Sequence, residues 1–281
     1  MKRVNGMVIA SLVPFCLLII CFLFIPFVSM IMASFQSGTG NGFTLEQYKE
    51  VFASVYYHKA FKNSILISFV SSLVAIVVGV FASYAITLFS SKIQERILVI
   101  TNLTSNFAGV PLAFAFIVLI GNSGVFTLLL HKYGINLLET FHLYSWSGLV
   151  LIYIYFQLPL CVMFLYPVFS GIQVQWKEAA SLLGASTAQF WWKVGLPFML
   201  PSLAGTFSIL FANAMGAYAS VFALTGSSYN LVTIRIGALV SGDIFARPEL
   251  GSALAVILGL ILVVAMLINE WLTRKVRRDL S

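Results

Sequence analysis

A chain of 281 residues that is 60% hydrophobic and only 9% charged carries too few polar side chains to cover a soluble globular domain, so it reads as a polytopic membrane protein. Its net charge of +7 does not point to nucleic acid. Lys2 and Arg3 near one end, and Arg274, Lys275, Arg277 and Arg278 near the other, flank apolar runs, where cations act as topology signals and contacts for anionic lipid.

In chain order, a first apolar span is expected over 7–35. It is too long for the apolar core of a signal peptide and runs through Pro14 and Pro26 without a convincing cleavage site, so an uncleaved helix is expected. Residues 37–63 are polar, with a turn cluster at Gly38-Thr39-Gly40-Asn41-Gly42. Thr44 and Gln47 stand at capping-box spacing before a short amphipathic helix. A second span over 64–89 holds Gly79, Ala82 and Ser83, small residues that let neighbouring helices approach. A third, over 97–120, carries Thr101, Asn102, Thr104, Ser105 and Asn106 ahead of Gly109 and Pro111. Polar, proline-interrupted segments at membrane depth are tolerated only where they face protein or a water-filled path.

Residues 121–145 form another polar connection. Its His131, Glu139 and His142 match no standard metal-ligand spacing, so no metal site and no cofactor are expected. The fourth span covers 146–169 and includes Gln157. The fifth covers 198–224 and includes Asn213, Gly216 and Tyr218. The sixth covers 250–272 and ends in the basic tail. Six spans of this length suit a hydrocarbon core about 30 Å thick. Cys16, Cys21 and Cys161 fall inside spans and imply no disulfide framework.

Between the fourth and fifth spans, 173–197 reads as a helical hairpin. Trp176–Leu183 is rich in helix formers, and Gly184 stops that helix. Ser186 and Gln189 stand at capping-box spacing to start a second one, and Pro197 is expected to end it. Glu178-Ala179-Ala180, then Gly184, then Val194-Gly195-Leu196-Pro197 after nine further residues, resembles the EAA loop of ABC importer permeases. The departure from the family's Ile-x-Leu-Pro ending is Val194. The resemblance implies an all-α membrane protein of the type I importer permease fold, with 1–281 as one transmembrane domain of six helices and a cytoplasmic helical docking loop. It implies Glu178, Ala179, Ala180, Gly184, Val194, Leu196 and Pro197 as the surface docking on an ATPase. The implied partners are two copies of a cytoplasmic ABC ATPase subunit, a second permease chain identical or homologous to this one, an extracytoplasmic solute-binding protein, and membrane lipid, with no nucleic acid.

Charge distribution gives an orientation. With both termini inside, the inner segments hold ten Lys and Arg residues, including Lys92, Arg96, Lys177 and Lys193, against six outside, Lys49, Lys59, Lys62, Lys132, Arg235 and Arg247. The excess sets the termini and the Glu178 hairpin on the cytoplasmic side, and the resemblance implies a bacterial cell (inner or cytoplasmic) membrane. The sequence shows no P-loop of the Gly-x-x-x-x-Gly-Lys-Ser/Thr type and no ionisable residue deep in a span. Energy is therefore expected from a partner subunit, and the chain is not expected to be an enzyme. A stand-alone channel or secondary carrier is the alternative. Asn106, Gln157, Asn213 and Tyr218 are the candidate lining of the path. The run from Asn213 to Ala219, followed by Leu224-Thr225-Gly226, looks like the subgroup importing spermidine and putrescine, which also includes permeases for iron(III), thiamine and 2-aminoethylphosphonate. The expected cargo is a small solute, with a polyamine, 2-aminoethylphosphonate or a similar organic ion favoured.

Overall fold

A computed structural model describes residues 6–38, 42–134, 141–242 and 246–279. Lys2, Arg3, Thr39-Gly40-Asn41 and Glu139 lie outside the described residues. The helices are α1 (Gly6–Ile19), α2 (Ile25–Ser34), α3 (Glu46–Ala53), α4 (Val55–Thr87), α5 (Ser91–Ser105), α6 (Val110–Ile120) and α7 (Val125–Lys132). They continue with α8 (Trp146–Ser170), α9 (Val174–Leu182), α10 (Thr187–Phe190), α11 (Leu196–Met215), α12 (Ala219–Thr225), α13 (Val232–Ser241) and α14 (Pro248–Asp279). Among the described residues, six stretches are long and apolar enough to cross a membrane: Leu12–Ser34, Val55–Thr87, Val110–Lys132, Trp146–Ser170, Thr187–Met215 and Pro248–Trp271. Among the described residues the only β pairing is an isolated bridge between Gln36 and Phe43.

Among the described residues, two π-helical turns interrupt the helical run, Ile20–Phe24 between α1 and α2 and Trp191–Gly195 between α10 and α11. Each ends two residues before a proline, Pro26 and Pro197. Proline has no N–H and its ring crowds the carbonyl four residues back, so an α-helix through it loses a bond and bends. The wider π turn takes up that misfit without ending the helix. The expectation that Pro197 ends the hairpin's second helix is therefore corrected: α10 runs through the π turn into α11, with Pro197 in the first turn of α11.

The chain divides into two compact units, one built from the segment up to Ala60 with Arg235–Leu260, the other from Phe61–Ile234 with the segment after Ile261. In the first, α3 is fixed by side chains. Ser34 Oγ and Tyr48 OH lie 2.7 Å apart, and the Gln47 amide donates to the Gln36 carbonyl at 3.3 Å. Arg247 donates to Glu50 through both terminal nitrogens, at 2.7 and 2.5 Å. The Glu50 hydrogen bond raises the Arg247 pKa above the usual arginine value. The capping box expected at Thr44 and Gln47 does not form. Thr44 Oγ1 accepts from the Glu46 N–H at 3.1 Å, and Gln47 is drawn away to Gln36.

In the second unit a buried core gathers Ile67, Leu112, Leu149, Ile152, Val221 and Leu231 with their neighbours. A smaller cluster joins Ala75, Cys161, Leu165 and Leu210. The stretch expected as a single third span is two helices. α5 stops at Ser105, Gly109 takes φ +76°, and α6 starts at Val110. The expected polar connection beyond residue 120 contains α7, which lengthens the apolar stretch to Lys132. The fifth span is likewise divided, with a break between Met215 and Ala219.

Candidate functional site

Two features stand out in the second unit: the hairpin α9–α10 and a cleft where two helices break. In the hairpin, α9 closes with paired reverse bonds. The Gly184 N–H donates to the Ser181 carbonyl at 3.0 Å and the Ala185 N–H reaches back to Ala180 at 3.0 Å. This bonding pattern requires a residue with positive φ at its turn, and Gly184 has φ +76°. Two residues later the next helix starts with a complete capping box. The Gln189 N–H donates to Ser186 Oγ at 3.3 Å, and the Ser186 N–H donates to Gln189 Oε1 at 2.8 Å. Stop and start thus lie within three residues, leaving little slack at the bend.

Glu178 and Ala179 lie exposed on α9, and the Glu178 carboxylate makes no ion pair among the described residues. Its backbone carbonyl accepts from Ser181 Oγ at 2.7 Å. The structure brings Glu178, Ala179, Ala180 and Gly184 together on the hairpin, whereas Val194, Leu196 and Pro197 sit at its root. Leu196 faces an apolar recess of about 450 Å³ lined also by Phe81, Trp192 and Leu203. Residues that sequence reasoning passed over are Leu182 and Leu183, each 88% exposed at the hairpin tip. Water-facing leucines of this kind mark an uncovered contact surface. Their signal in the sequence is two leucines placed directly before a helix-stopping glycine, with no polar residue to shield them.

The cleft encloses about 350 Å³ and is lined by Gly109, Phe156, Asn213, Gly216, Tyr218 and Ser220 among others. It forms where α5 gives way to α6 and α11 to α12, and side chains hold the freed backbone groups. The Gly109 N–H donates to Ser220 Oγ at 3.0 Å. The Ala217 carbonyl accepts from Thr233 Oγ1 at 3.1 Å and from Tyr153 OH at 3.5 Å. Asn213 and Tyr218 open into this space, and the Tyr218 ring stacks on Phe222 at 5.2 Å. Asn106 is exposed two residues before the lining begins, and its amide donates to the Asn102 carbonyl at 3.0 Å.

Gln157 is placed differently. It is fully buried between α4 and α8, accepting from Ser72 Oγ at 2.8 Å and donating to Ser71 Oγ at 2.9 Å. Those two bonds make it an interhelical clamp. Much of the polar run in α5 is likewise internal to its helix. Thr101, Thr104 and Ser105 each donate to a carbonyl three or four residues earlier.

Comparison with known proteins agrees with this architecture. A family described as "Binding-protein-dependent transport system inner membrane component" matches residues 75–278. The ferric transport system permease protein FbpB of Actinobacillus pleuropneumoniae is 26% identical over 94% of this chain, which spans only 38% of that relative's length. The spermidine/putrescine transport system permease protein PotB of Haemophilus influenzae is 24% identical, with 93% of each chain covered. Among solved structures, a bacterial ABC transporter involved in the import of alginate matches the fold with a TM-score of 0.76 at 18% identity, covering 96% of both chains. With the family matched over most of its length and the helical architecture shared, the chain belongs to the inner membrane components of binding-protein-dependent transport systems, the permease family of ABC importers.

Proposed function

We propose that this chain is one transmembrane subunit of an ABC importer, which provides part of the path for a small solute and couples it to ATP hydrolysis on a separate subunit. The observation that carries this reading is the continuity of the hairpin with α11: α10, the π turn and α11 form one unbroken helical run from the capped bend to the edge of the cleft. A load applied at Leu182, Leu183 and Gly184 crosses the capped bend and then reaches Asn213 along one helical run. On this reading two ATPase copies engage the hairpins of two permease chains, and a solute-binding protein delivers cargo from the opposite side. Both termini and the hairpin then face the cytoplasm, as the excess of Lys and Arg in those segments favours.

Glu178 supplies a charge-assisted contact to a basic group on the ATPase. Leu182 and Leu183 supply the apolar contact, and Gly184 the turn. The path residues are Asn213 and Tyr218, with Asn106 at its edge. For the cargo, resemblance over nearly the whole length of a spermidine and putrescine permease supports a polyamine, while the ferric relative keeps iron(III) as the competing class. The test has two parts. Cysteines introduced at Gly38 and Ala188 in vesicles of known sidedness should label from opposite faces with impermeant reagent. The ATPase encoded with this chain should co-purify with it and lose it on Gly184→Val. Labelling of both positions from one face, or intact assembly in that variant, would sink the docking assignment.

A further inference from the structure

The hairpin is continuous with α11, but a stroke confined to α11 would leave α4 and α8 behind unless side chains join them. Leu210 packs with Ala75, Cys161 and Leu165 within the span, and at the hairpin's root a further side chain joins the three helices. The Trp191 indole, in the π turn at the hairpin's root, stands edge-on to Tyr84 of α4, with ring centres 5.4 Å apart and planes at 88°. It lies 6.1 Å from Phe169 of α8, tilted by 59°, and 5.7 Å from Phe190 of α10. Tyr84 and Phe169 are themselves 6.0 Å apart, which closes a three-ring contact across three helices. Edge-to-face packing is directional, so such a group resists rotation as well as separation.

What seats the indole is the absence of a side chain at Gly195. A Cβ built there would lie 2.4 Å from Trp191 Cε3 and 2.8 Å from Cζ3, closer than carbon atoms approach. Gly195 is buried, and its φ of −63° is ordinary helix, so its role is clearance and not backbone freedom. It occupies the unspecified position of the Val194-Gly195-Leu196-Pro197 ending, so the resemblance assigns it nothing. The neighbouring Trp192 is 73% exposed and makes no ring contact among the described residues.

From Phe169 the route onward is through α8. Tyr153 OH of α8 reaches the Ala217 carbonyl at the break beside the cleft. We infer that Trp191, seated on Gly195, is the positioning residue that carries hairpin movement into α4 and α8 and so to the cleft. The inference rests on the hairpin being the ATPase-docking element, and it assigns docking and transmission to different residues.

The experiment uses the assembled complex with Cys16 and Cys21 replaced by serine and Ala108→Cys as a reporter at the cleft. The reporter's labelling rate by a small thiol reagent is measured without nucleotide and after trapping the ATPase with ATP and vanadate. In the parent the trap should change that rate by about 5-fold or more, the lower end of typical site-to-site coupling. Trp191→Ala should retain the co-purified ATPase and its hydrolysis while the rate change shrinks to within about 2-fold, below that coupling range. Gly195→Ala, which displaces the ring without removing it, should do the same, whereas Trp191→Phe and Trp192→Ala should keep the parental response. A full response in both Trp191→Ala and Gly195→Ala would overturn the inference, as would an equal loss in Trp192→Ala. Loss of the ATPase from Trp191→Ala would also overturn it, by making Trp191 a docking residue. Failure of the parent to retain any ATPase would instead remove the docking reading on which the inference stands.

Discussion

The Trp176 ring stands edge-on to that of Phe198, with centres 5.2 Å apart and planes at 77°. It braces the first arm of the hairpin against the first turn of α11, so the hairpin is tied to its span by side chains as well as by the backbone. Trp176→Leu should remove a ring pair worth about 0.5–1.5 kcal/mol. If that energy pre-orients the hairpin, ATPase affinity should fall by about 2- to 10-fold with the chain still folded. Titration of the purified permease with labelled ATPase measures it, and unchanged affinity would show the brace to be idle.

Gly184→Val places a β-branched residue where φ is +76° and should strain the bend by about 1–2 kcal/mol or more. Nothing lies within 4 Å of the built Cβ, so the penalty is conformational and not steric. Span insertion should therefore be normal and ATPase retention poor. Glu178→Ala should act in the same direction, more mildly. Membrane yield and co-purification, measured together, separate a folding defect from a docking defect.

Leu182→Ser with Leu183→Ser should leave the permease as stable as the parent, because both side chains already face water. Each leucine buried against a partner contributes about 1.5–3 kcal/mol, so ATPase affinity should fall at least about 10-fold. Equal affinities for parent and double variant would put the contact surface elsewhere on the hairpin.

How much of this was legible in the sequence depends on how far apart the partners lie. The Gly184 stop and the Ser186–Gln189 cap are local and can be read from spacing alone. Thr44 and Gln47 show the same spacing, yet Gln47 bonds the Gln36 carbonyl, and one Arg247 nitrogen lies 3.5 Å from its Oε1, so tertiary partners override the local motif. Gln157 looked like a path residue because a lone amide in an apolar span has an obvious use in water. Its serine partners are 85 and 86 positions away. Pro197 follows a sound rule, that proline ends a helix, and the π turn before it is the exception that single-sequence spacing does not disclose.

Gln157→Leu should therefore act on stability. It leaves the Ser71 and Ser72 hydroxyls without their amide partner, at a cost of roughly 1–2 kcal/mol. Thermal unfolding in detergent should shift down while uptake per folded molecule stays at the parental rate. Asn213→Ala and Tyr218→Ala should give the reverse, a changed uptake rate at near-parental stability. If Gln157→Leu alters transport selectivity and Asn213→Ala alters only yield, the two assignments exchange.

Arg247→Gln removes a half-exposed bidentate pair with Glu50 and should cost only about 0.2–1 kcal/mol, diminishing as salt rises. The Arg247 pKa is raised by that bond, so the charged form's contribution is complete below the ordinary arginine value and is lost only as pH climbs through the higher folded one. From about pH 6 to 9 the arginine should thus contribute no slope to stability. A difference between parent and variant that grows with pH over that window would contradict the pairing.

None of the residues lining the cleft is an acid or a strong base: the polar groups there are an amide, hydroxyls and backbone dipoles. An ion entering it exchanges full hydration for partial charges, with no counter-charge to hold it. This chain's share of the lining should therefore hold an ion only briefly. On the function proposed above, a chamber with so weak a grip cannot concentrate cargo unaided, and for the same reason does not retain it against release. Direction then has to come from which side opens, and throughput from how often cargo is handed over, so an excess of free solute without its carrier should move almost nothing.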